Sequence, residues 1–293
     1  MLPLEAVPNF SEGRDPATID AIAEALARHA RLLDVHSDPD HNRSVFTLVA
    51  EDAPLVDALV AAVDCARDRI DLRRHEGAHP RIGAADVVPV VPLVPEDMER
   101  ARAAASEVAR RIGEELALPV FLYGELALGR GPAFFRHGGT SELARRLAEG
   151  EVGPDFGPPE LHPSAGGVIV GARRPLIAFN VDLRGASVED AREIASVIRE
   201  RDGGFPGVRA LGLDLPEAGR VQVSMNVEDW EAAALHEIVA RIQAEAAARG
   251  VEVAGSELVG LMPAGAAAAA AGALLKIEGF DATRLLELRL LGE

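Results

Sequence analysis

The feature that constrains this chain most is an order of predicted elements that occurs twice. Period-two apolar alternation, helical apolar spacing and turn residues predict strand, helix, strand, strand, helix, strand between residues 4 and 93. The same order is predicted between residues 176 and 259. It is the order of the split βαβ, or ferredoxin-like, unit. The two stretches agree in pattern and spacing rather than in identity, so we expect an α/β (α+β) fold with two ferredoxin-like subdomains.

Local signals place the individual elements. Asp15 is a good N-cap with Pro16 at the first helical position, and Ser187 and Asp190 stand where a capping pair would. The predicted helices cover residues 16–29, 54–70, 95–116, 187–200 and 230–249, with an alanine-rich packing helix from Pro263. The predicted strands cover residues 4–10, 32–36, 44–50, 87–93, 119–125, 176–183, 208–213, 220–227 and 251–259.

Residues 129–171 interrupt this regular pattern. They are rich in glycine and proline, and we expect them to be irregular apart from a short helix near residues 141–149. Glycine and proline at this density are typical of a linker or a binding loop. We therefore place the domain boundary at its end, with an N-terminal subdomain of residues 1–170 and a C-terminal subdomain of residues 171–293.

Charge and composition narrow the functional classes. The net charge is −17 and no basic run stands out, which argues against a nucleic-acid partner. The single cysteine excludes intramolecular disulfides and thiolate zinc sites. We recognise no secretory signal and no membrane span, so we expect a cytoplasmic protein with no membrane partner. An anionic ligand would need a locally positive site against this negative background.

The loop with the densest chemistry is residues 74–86. It contains two histidines, two arginines, two carboxylates and two glycines, and an apolar strand follows at once. Histidine can take and give a proton near neutral pH, and the arginine fork matches a carboxylate. There is also a structural explanation. The histidines would be loop residues satisfied by hydrogen bonds, and the arginines would form local salt bridges. The residues alone therefore indicate a two-lobed α/β enzyme acting on small anions, and they leave those alternatives open.

Two patterns resemble metal sites. Residues 75–79 match H-E-x-x-H, the zinc peptidase pattern, which works only on a helix. Gly77 and Pro80 both oppose a helix there. Residues 38–42 begin like a calcium loop but lack its glycine and terminal glutamate, so a hairpin turn rich in Asx residues is the better explanation. We predict no metal.

Eight short motifs resemble those of glutamate formiminotransferase and occur in the same order as in that family. The similarity runs from about residue 5 to about residue 275, and so many ordered motifs make it more specific than any one of them. The motifs lie at residues 7–13, 33–35, 42–43, 74–86, 120–125, 154–158, 177–180 and 255–261.

The resemblance implies an activity and an architecture. The activity is transfer of a formimino group from N-formimino-L-glutamate to N5 of tetrahydrofolate, the co-substrate, in histidine degradation. The architecture is two ferredoxin-like subdomains with stacked β-sheets, helices outside and folate in a tunnel between them, in a homodimer. Animal members carry a fused cyclodeaminase. This chain ends before one could fit, so we expect a separate enzyme to use the product.

The resemblance also implies site residues. The family's catalytic histidine falls on His79, in the His-Pro-Arg segment, as general acid and base. The candidates for binding the glutamate and folate carboxylates are Arg43, Arg74, Arg81, Arg173 and Arg174. The folate-contacting segment comprises Gly157, Pro158, Pro159, Glu160, Leu161, His162, Pro163, Ser164, Ala165 and Gly166.

Three positions depart from the animal proteins. Ala78 stands where they have an acidic residue, His36 where they have an aspartate, and Ala165 where they have an aromatic. The resemblance therefore transfers no role in assisting His79 to Ala78 or His36, and no aromatic contact with the folate ring to position 165. Two alternatives fit the same loop chemistry: transfer to tetrahydrofolate from N-formylglutamate or another one-carbon donor, and a non-catalytic folate-binding module.

Overall fold

The computed structural model describes residues 2–127, 129–216 and 218–291. The chain divides into two compact units, Met1–Arg174 and Pro175–Glu293. Each unit has one β-sheet and its own helices, so the mixed α/β class expected from the sequence is confirmed. Among the described residues, no helix has both the length and the apolar composition that a membrane span requires.

The first unit contains seven strands and five α-helices among its described residues. The strands are β1 (Leu4–Ala6), β2 (Asn9–Phe10), β3 (Arg31–Asp38), β4 (Arg43–Ala50), β5 (Ala85–Val91), β6 (Val120–Gly124) and β7 (Val168–Ala172). The helices are α1 (Pro16–Ala27), α2 (Asp52–Arg69), α3 (Met98–Glu115), α4 (Pro132–Arg136) and α5 (Gly139–Ala148).

The strand predicted over residues 4–10 is interrupted at Val7 and Pro8. Both of its halves, β1 and β2, lie between β4 and β5 and are antiparallel to both neighbours. Pro8 has no N–H to donate to a ladder, although its carbonyl accepts from Phe46. With β3 antiparallel to β4, the order across this part of the sheet is β5, β1/β2, β4, β3.

The prediction for residues 129–171 was wrong in two respects. This stretch includes α4 and, at its end, β7, which lies inside the sheet between β5 and β6 and is parallel to both. All five residues of β7 are buried. The apolar run is short and follows a glycine pair, so its local signal is weak. Its strand character depends on pairing with β5, more than 80 positions earlier in the chain.

The first unit has apolar clusters on both faces of its sheet. Helices α1 to α3 cover one face, where Phe46, Leu59 and Val170 are fully buried. Alternation along β7 sends Ile169 to the opposite face, into a smaller cluster with Phe135 of α4. Helices α4 and α5 therefore cover the other face at the β5–β7–β6 end.

The second unit is a four-stranded antiparallel sheet with order β11, β8, β10, β9. Helix α6 begins with the capping box that the sequence predicted, in which Ser187 and Asp190 satisfy each other's backbone amides. Helix α7 begins at Leu235 rather than near residue 230. The elements are β8 (Ile177–Arg184), α6 (Val188–Ile198), β9 (Val208–Leu215), β10 (Arg220–Val227), α7 (Leu235–Ala248), β11 (Glu252–Val259), α8 (Ala264–Leu275) and α9 (Leu286–Leu291).

The two faces of the second sheet differ in chemistry. Val181 and Val223 are paired across β8 and β10 and are fully buried in the cluster that includes α6 and α7. The opposite face is polar: Asp182 of β8 accepts hydrogen bonds from Arg220 and Gln222 of β10. This alternation is the period-two pattern from which the strands were predicted.

Candidate active site

Residues 74–86, called here the 74–86 loop, carry the candidate chemistry in the first unit. A single 3-10 turn, Leu72–Arg74, precedes residues that are not helical as far as β5. Residues 75–79 therefore do not present two histidines on one helix face, as a zinc peptidase would require. Among the described residues, no group of three or more His, Cys, Asp or Glu side chains could hold a metal ion.

A cavity of about 390 Å³ opens beside this loop. Six of its lining residues come from the loop, one from the preceding 3-10 turn and two from the first turn of α5. They are Leu72, His75, Glu76, Gly77, His79, Pro80, Arg81, Gly139 and Thr140. Both histidines of the 74–86 loop therefore border the same space.

Two groups lie near Nδ1 of His79, the carbonyl of Pro80 and, at 3.4 Å, Nη1 of Arg43, and the shorter contact indicates which ring nitrogen carries the hydrogen. Nδ1 lies 2.7 Å from the carbonyl oxygen of Pro80. A carbonyl can only accept, so Nδ1 must donate, and the lone pair of the neutral ring is on Nε2. Among the described residues, no hydrogen bond engages Nε2. The half-buried ring therefore offers a free proton acceptor at the cavity.

Nearby charge keeps this ring neutral. Burial and the guanidinium groups of Arg43 and Arg136 hold the pKa of His79 well below its usual 6.5, and the carboxylate of Asp86 only partly offsets them. The nearest of these charges is Nη1 of Arg43, 3.4 Å from Nδ1. The imidazole is thus uncharged at neutral pH and able to take a proton.

An ion cluster lies directly behind His79. Asp86, at the start of β5, is fully buried, and its Oδ2 accepts from Nη1 of Arg43 at 2.8 Å and Nη2 of Arg136 at 2.6 Å. Its Oδ1 accepts from the backbone amide of Ile82 at 2.8 Å. These cations hold the pKa of Asp86 below its ordinary value despite burial, whereas burial lowers the pKa of Arg43 to about 10. The carboxylate is therefore ionised and fully bonded.

Arg136 is a site residue that the sequence analysis missed. It closes the last turn of α4, inside the glycine- and proline-rich stretch, and its side chain is only 15% exposed. No local pattern distinguishes it from the chain's many surface arginines. It reaches Asp86 because Phe135, its neighbour, packs against Phe121 of the sheet at 5.0 Å.

Arg81 is used to hold the loop together. Its Nη1 donates to the carbonyl of Asn42 at 3.1 Å, and its Nη2 donates to that of His41 at 2.9 Å. Its Nη2 also donates to the carbonyl of His79 at 2.7 Å, and its Nη1 lies 2.6 Å from Nδ1 of His75. Burial and this guanidinium lower the pKa of His75 to about 4. Arg81 therefore occupies the lone pair of the neutral His75 ring, whereas Nε2 of His79 has no such donor against it among the described residues.

Asn42, in the turn between β3 and β4, joins three backbone segments. Its φ is +46°, a left-handed conformation that Asn tolerates better than most residues. Its Oδ1 accepts from the amide of Gly13 at 2.9 Å, and its Nδ2 donates to the carbonyl of Glu76 at 2.9 Å. Asp38 closes the same turn by accepting from the amide of His41 at 2.7 Å, as expected of an Asx-rich turn.

The end of segment 157–166 lies beside the 74–86 loop. The amide of Leu72 donates to the carbonyl of Ser164 at 2.8 Å, and the amide of Ala84 donates to that of Ala165 at the same distance. Ala165 is buried. The first residues of this segment, from Gly157 to Glu160, lie toward the surface. The fold thus brings together two stretches that are some 80 positions apart in the chain.

Comparison with known proteins identifies the family. The model of the formiminotransferase domain, N-terminal subdomain, matches residues 3–173, and that of the formiminotransferase domain matches residues 178–282. A glutamate formimidoyltransferase of Streptococcus pyogenes serotype M1 is 40% identical over 296 residues, covering 99% of each chain. This chain belongs to the formiminotransferase domain family. It is therefore an enzyme of the transferase class.

Other relatives differ in length. A glutamate formimidoyltransferase of Thermoplasma acidophilum is 40% identical over 298 residues, with 98% of this chain and 97% of the relative covered. The formimidoyltransferase-cyclodeaminase of Sus scrofa is 41% identical over 272 residues, which cover 89% of this chain and 50% of that protein. Membership of the family, which the motifs indicated, is confirmed.

Of the positions named from the resemblance, His79 and Arg81 line the cavity, whereas Arg43, segment 157–166 and the remaining positions are outside its described lining. Arg74 is exposed and has Asp71 at 4.0 Å, and Arg173 follows β7 and donates to the carbonyl of Arg174. Ala78, where animal relatives carry an acidic residue, is exposed on the 74–86 loop. His36 belongs to β3, the strand at the edge of the sheet. Among the arginines first proposed, Arg43 and Arg81 are the ones with a described contact to the histidine rings of the loop.

Proposed function

We propose that this protein is a glutamate formimidoyltransferase, which transfers the formimino group of N-formimino-L-glutamate to N5 of tetrahydrofolate in histidine degradation. Full-length similarity to two proteins of that name supports the reaction. The observation that carries the mechanism is the neutral imidazole of His79, whose Nε2 is free at the cavity.

The reaction needs one group that moves two protons. A bond forms between the formimino carbon and N5, and the bond from that carbon to the glutamate nitrogen breaks. A proton leaves N5, and a proton joins the departing glutamate nitrogen. In this proposal Nε2 of His79 accepts the first proton and delivers the second, as general base and then general acid. The lowered pKa keeps the ring neutral and makes the imidazolium a ready donor, although it also makes the neutral ring a weaker base.

The surroundings of His79 fit small polar substrates. The cavity volume of about 390 Å³ is within the range of small-molecule pockets. We assign contacts with the folate to segment 157–166, whose end is hydrogen-bonded to the 74–86 loop. Arg43 and Arg81 then supply positive charge near the substrate carboxylates while keeping their internal bonds. Arg74 remains an exposed candidate that could reach the polyanionic end of a substrate.

The architecture that we propose is the one that the family resemblance implies. Strand order β5, β1/β2, β4, β3 in the first unit and β11, β8, β10, β9 in the second both have the first strand of the repeat beside its third and fourth. This supports two ferredoxin-like subdomains. The boundary expected after residue 170 would cut β7, so we place it after Arg174. Stacked sheets, a homodimer and a cytoplasmic location stay predictions.

The test is turnover by His79→Ala with tetrahydrofolate and N-formimino-L-glutamate. We expect kcat to fall by about 100-fold or more, with folate binding retained, because general acid–base catalysis contributes at least that much. His29→Ala, an exposed histidine after α1, is the matched control and should keep full activity. Near-normal turnover by His79→Ala would remove the assignment.

The donor is tested with the unmodified protein. Each of N-formimino-L-glutamate, N-formylglutamate and other one-carbon donors is incubated with tetrahydrofolate, and product formation is followed. We expect the formimino compound to be the best donor. Preference for a formyl donor would replace the proposed substrate, and folate binding without turnover of any donor would indicate a non-catalytic binding module.

A further inference from the structure

We propose that Arg136 and Asp86 are positioning residues for His79: they hold the guanidinium of Arg43 beside the Nδ1 edge of the imidazole, where its positive charge opposes protonation of the ring. The inference rests on the proposed function for its catalytic meaning. The geometry of the cluster does not depend on that function. Among the described contacts, neither Arg136 nor Asp86 is hydrogen-bonded to His79, so their positional effect on the ring is exerted through Arg43.

Helix α4 is packed against the sheet, and this packing places the backbone from which the side chain of Arg136 extends. Phe135 is fully buried, 5.0 Å from Phe121. Arg146 of α5 donates to the carbonyl of Phe134 at 2.8 Å and lies over its ring at 4.5 Å. A five-residue helix would not be stable alone, so these contacts are what give the arginine a defined direction.

Asp86 connects Arg136 to Arg43. A single carboxylate oxygen, Oδ2, accepts from both arginines, and the amide of Ile82 holds the other oxygen. Arg43 has a second anchor, because its Nε donates to Oδ1 of Asn9 at 3.0 Å. With both anchors made, Nη1 is left 3.4 Å from Nδ1 of His79. A nitrogen facing a cation is an unfavourable place for a second positive charge, which disfavours the imidazolium.

The charges around the ring make the roles of the two residues opposite in sign. Two guanidinium groups and one carboxylate leave one net positive charge behind His79. Removing Arg136 leaves a neutral pair, whereas removing the charge of Asp86 leaves two cations uncompensated. Among the described residues, the other titratable or charged groups near the ring are Arg81, His41, whose ring centroid is 6.1 Å away, and His75 and Glu76, which line the same cavity. None of these changes in the variants below.

The experiment is an NMR titration of the full-length protein with isotope-labelled histidine, in which His79→Gln assigns the signal. We expect Arg136→Gln to raise the His79 midpoint by about half a pH unit or more and Asp86→Asn to lower it. Arg136→Lys, which restores the charge, should return the midpoint toward its original value. Arg102→Gln, at a partly exposed α3 position, should leave it unchanged.

The pH profile of kcat/KM gives the second readout. Its acidic limb should move in the same direction as the titration midpoint in each variant. Asp86→Asn leaves two buried cations unpaired. If that variant does not fold, the comparison of Arg136→Gln with Arg136→Lys still tests the proposal. An Arg136→Gln midpoint equal to that of the unmodified protein, or a shift that Arg136→Lys does not reverse, would overturn the proposal.

The two proposals fail in different ways. If the titration shifts as expected but no one-carbon donor is turned over, the positioning roles hold and the proposed function is wrong. If N-formimino-L-glutamate is turned over normally and Arg136→Gln leaves both the His79 titration and the pH profile unchanged, the function holds and the positioning roles are wrong.

Discussion

At the scale of single residues, hydrogen-bond partners separate two histidines that look equivalent in the sequence. His75 and His79 lie four positions apart and border the same cavity. The guanidinium of Arg81 lies against both ring nitrogens of His75, whereas His79 donates from Nδ1 to Pro80 and keeps Nε2 free. A general base needs an available lone pair, so these partners favour His79.

A glycine in the same loop gives a residue-scale prediction. A Cβ at Gly77 would lie 2.4 Å from the carbonyl oxygen of His41 and 2.5 Å from Nη2 of Arg81. We expect Gly77→Ala to reduce the free energy of unfolding by about 1–3 kcal/mol, because one of these groups must move. Urea denaturation followed by circular dichroism measures the change.

The matched control for that variant is Gly153→Ala. Nothing lies within 4 Å of a Cβ built at Gly153, and its φ is not positive. We expect its unfolding free energy to change by no more than about 0.5 kcal/mol. Equal denaturation midpoints for the two variants would show that the close approach at Gly77 is not a constraint.

At the scale of elements, the site is a junction of connections rather than the face of one helix or strand. The turn between β3 and β4, the turn after β2 and the 74–86 loop meet through the side chains of Asn42 and Arg81. The segment before β7 and helix α4 approach from other parts of the chain. Rigid strands fix where these loops begin, which is how loop residues can hold a defined geometry.

Asn42 provides the prediction at this scale. Asn42→Ala loses two side-chain hydrogen bonds and also keeps a positive φ without the tolerance of Asn, whereas Asn42→Gly loses only the bonds. We expect a loss of stability of about 1–3 kcal/mol for Asn42→Gly and about 1 kcal/mol more for Asn42→Ala. Urea denaturation of both variants separates the two causes. A more stable Ala variant would contradict the backbone argument.

At the scale of the whole molecule, the site is a positive region in an acidic protein. The net charge is −17, yet Arg43, Arg81 and Arg136 converge near His79 with Asp86 as the carboxylate bonded to two of them. An anionic ligand needs such a locally positive site in a chain of this net charge. The three arginines come from β4, the 74–86 loop and α4, so the fold creates a concentration of charge that no stretch of sequence displays.

The two lowered histidine pKa values predict how stability depends on pH. In the unfolded chain both rings bind protons below about pH 6.5, but in the folded protein His75 has a pKa of about 4 and His79 is also well below 6.5. The unfolded state therefore binds more protons as the pH falls below 6.5, and stability is lost in that direction. Above pH 6.5 this contribution is fully present.

We expect the free energy of unfolding to decrease by about 1–2 kcal/mol between pH 7.5 and pH 5, discounted for the partial exposure of both rings. Urea denaturation at the two pH values measures it. The double variant His75→Gln, His79→Gln should lose most of this dependence, whereas His29→Ala, at an exposed position, should keep it. An unchanged pH dependence in the double variant would show that other groups cause it.

Much of the fold was predictable because its signals are local. Alternating and helical apolar spacing predicted the twofold order of elements, and Asp15 and Ser187 marked helix starts where the caps are found. The ordered motifs were sufficient to indicate the family. Strand β7 was not predicted, because a five-residue apolar run after a glycine pair does not indicate a strand until a neighbouring strand pairs with it.

By itself, the sequence determined the repeated order of elements, the polar loop with its two histidines, and the family. The tertiary structure alone decided that Arg136 shares Asp86 with Arg43, that Arg81 holds the loop together, and that His79 keeps a free nitrogen. The reason is physical: helical and strand periodicity act over a few residues, whereas a hydrogen-bond partner or a shifted pKa depends on groups that only folding brings within a few ångströms.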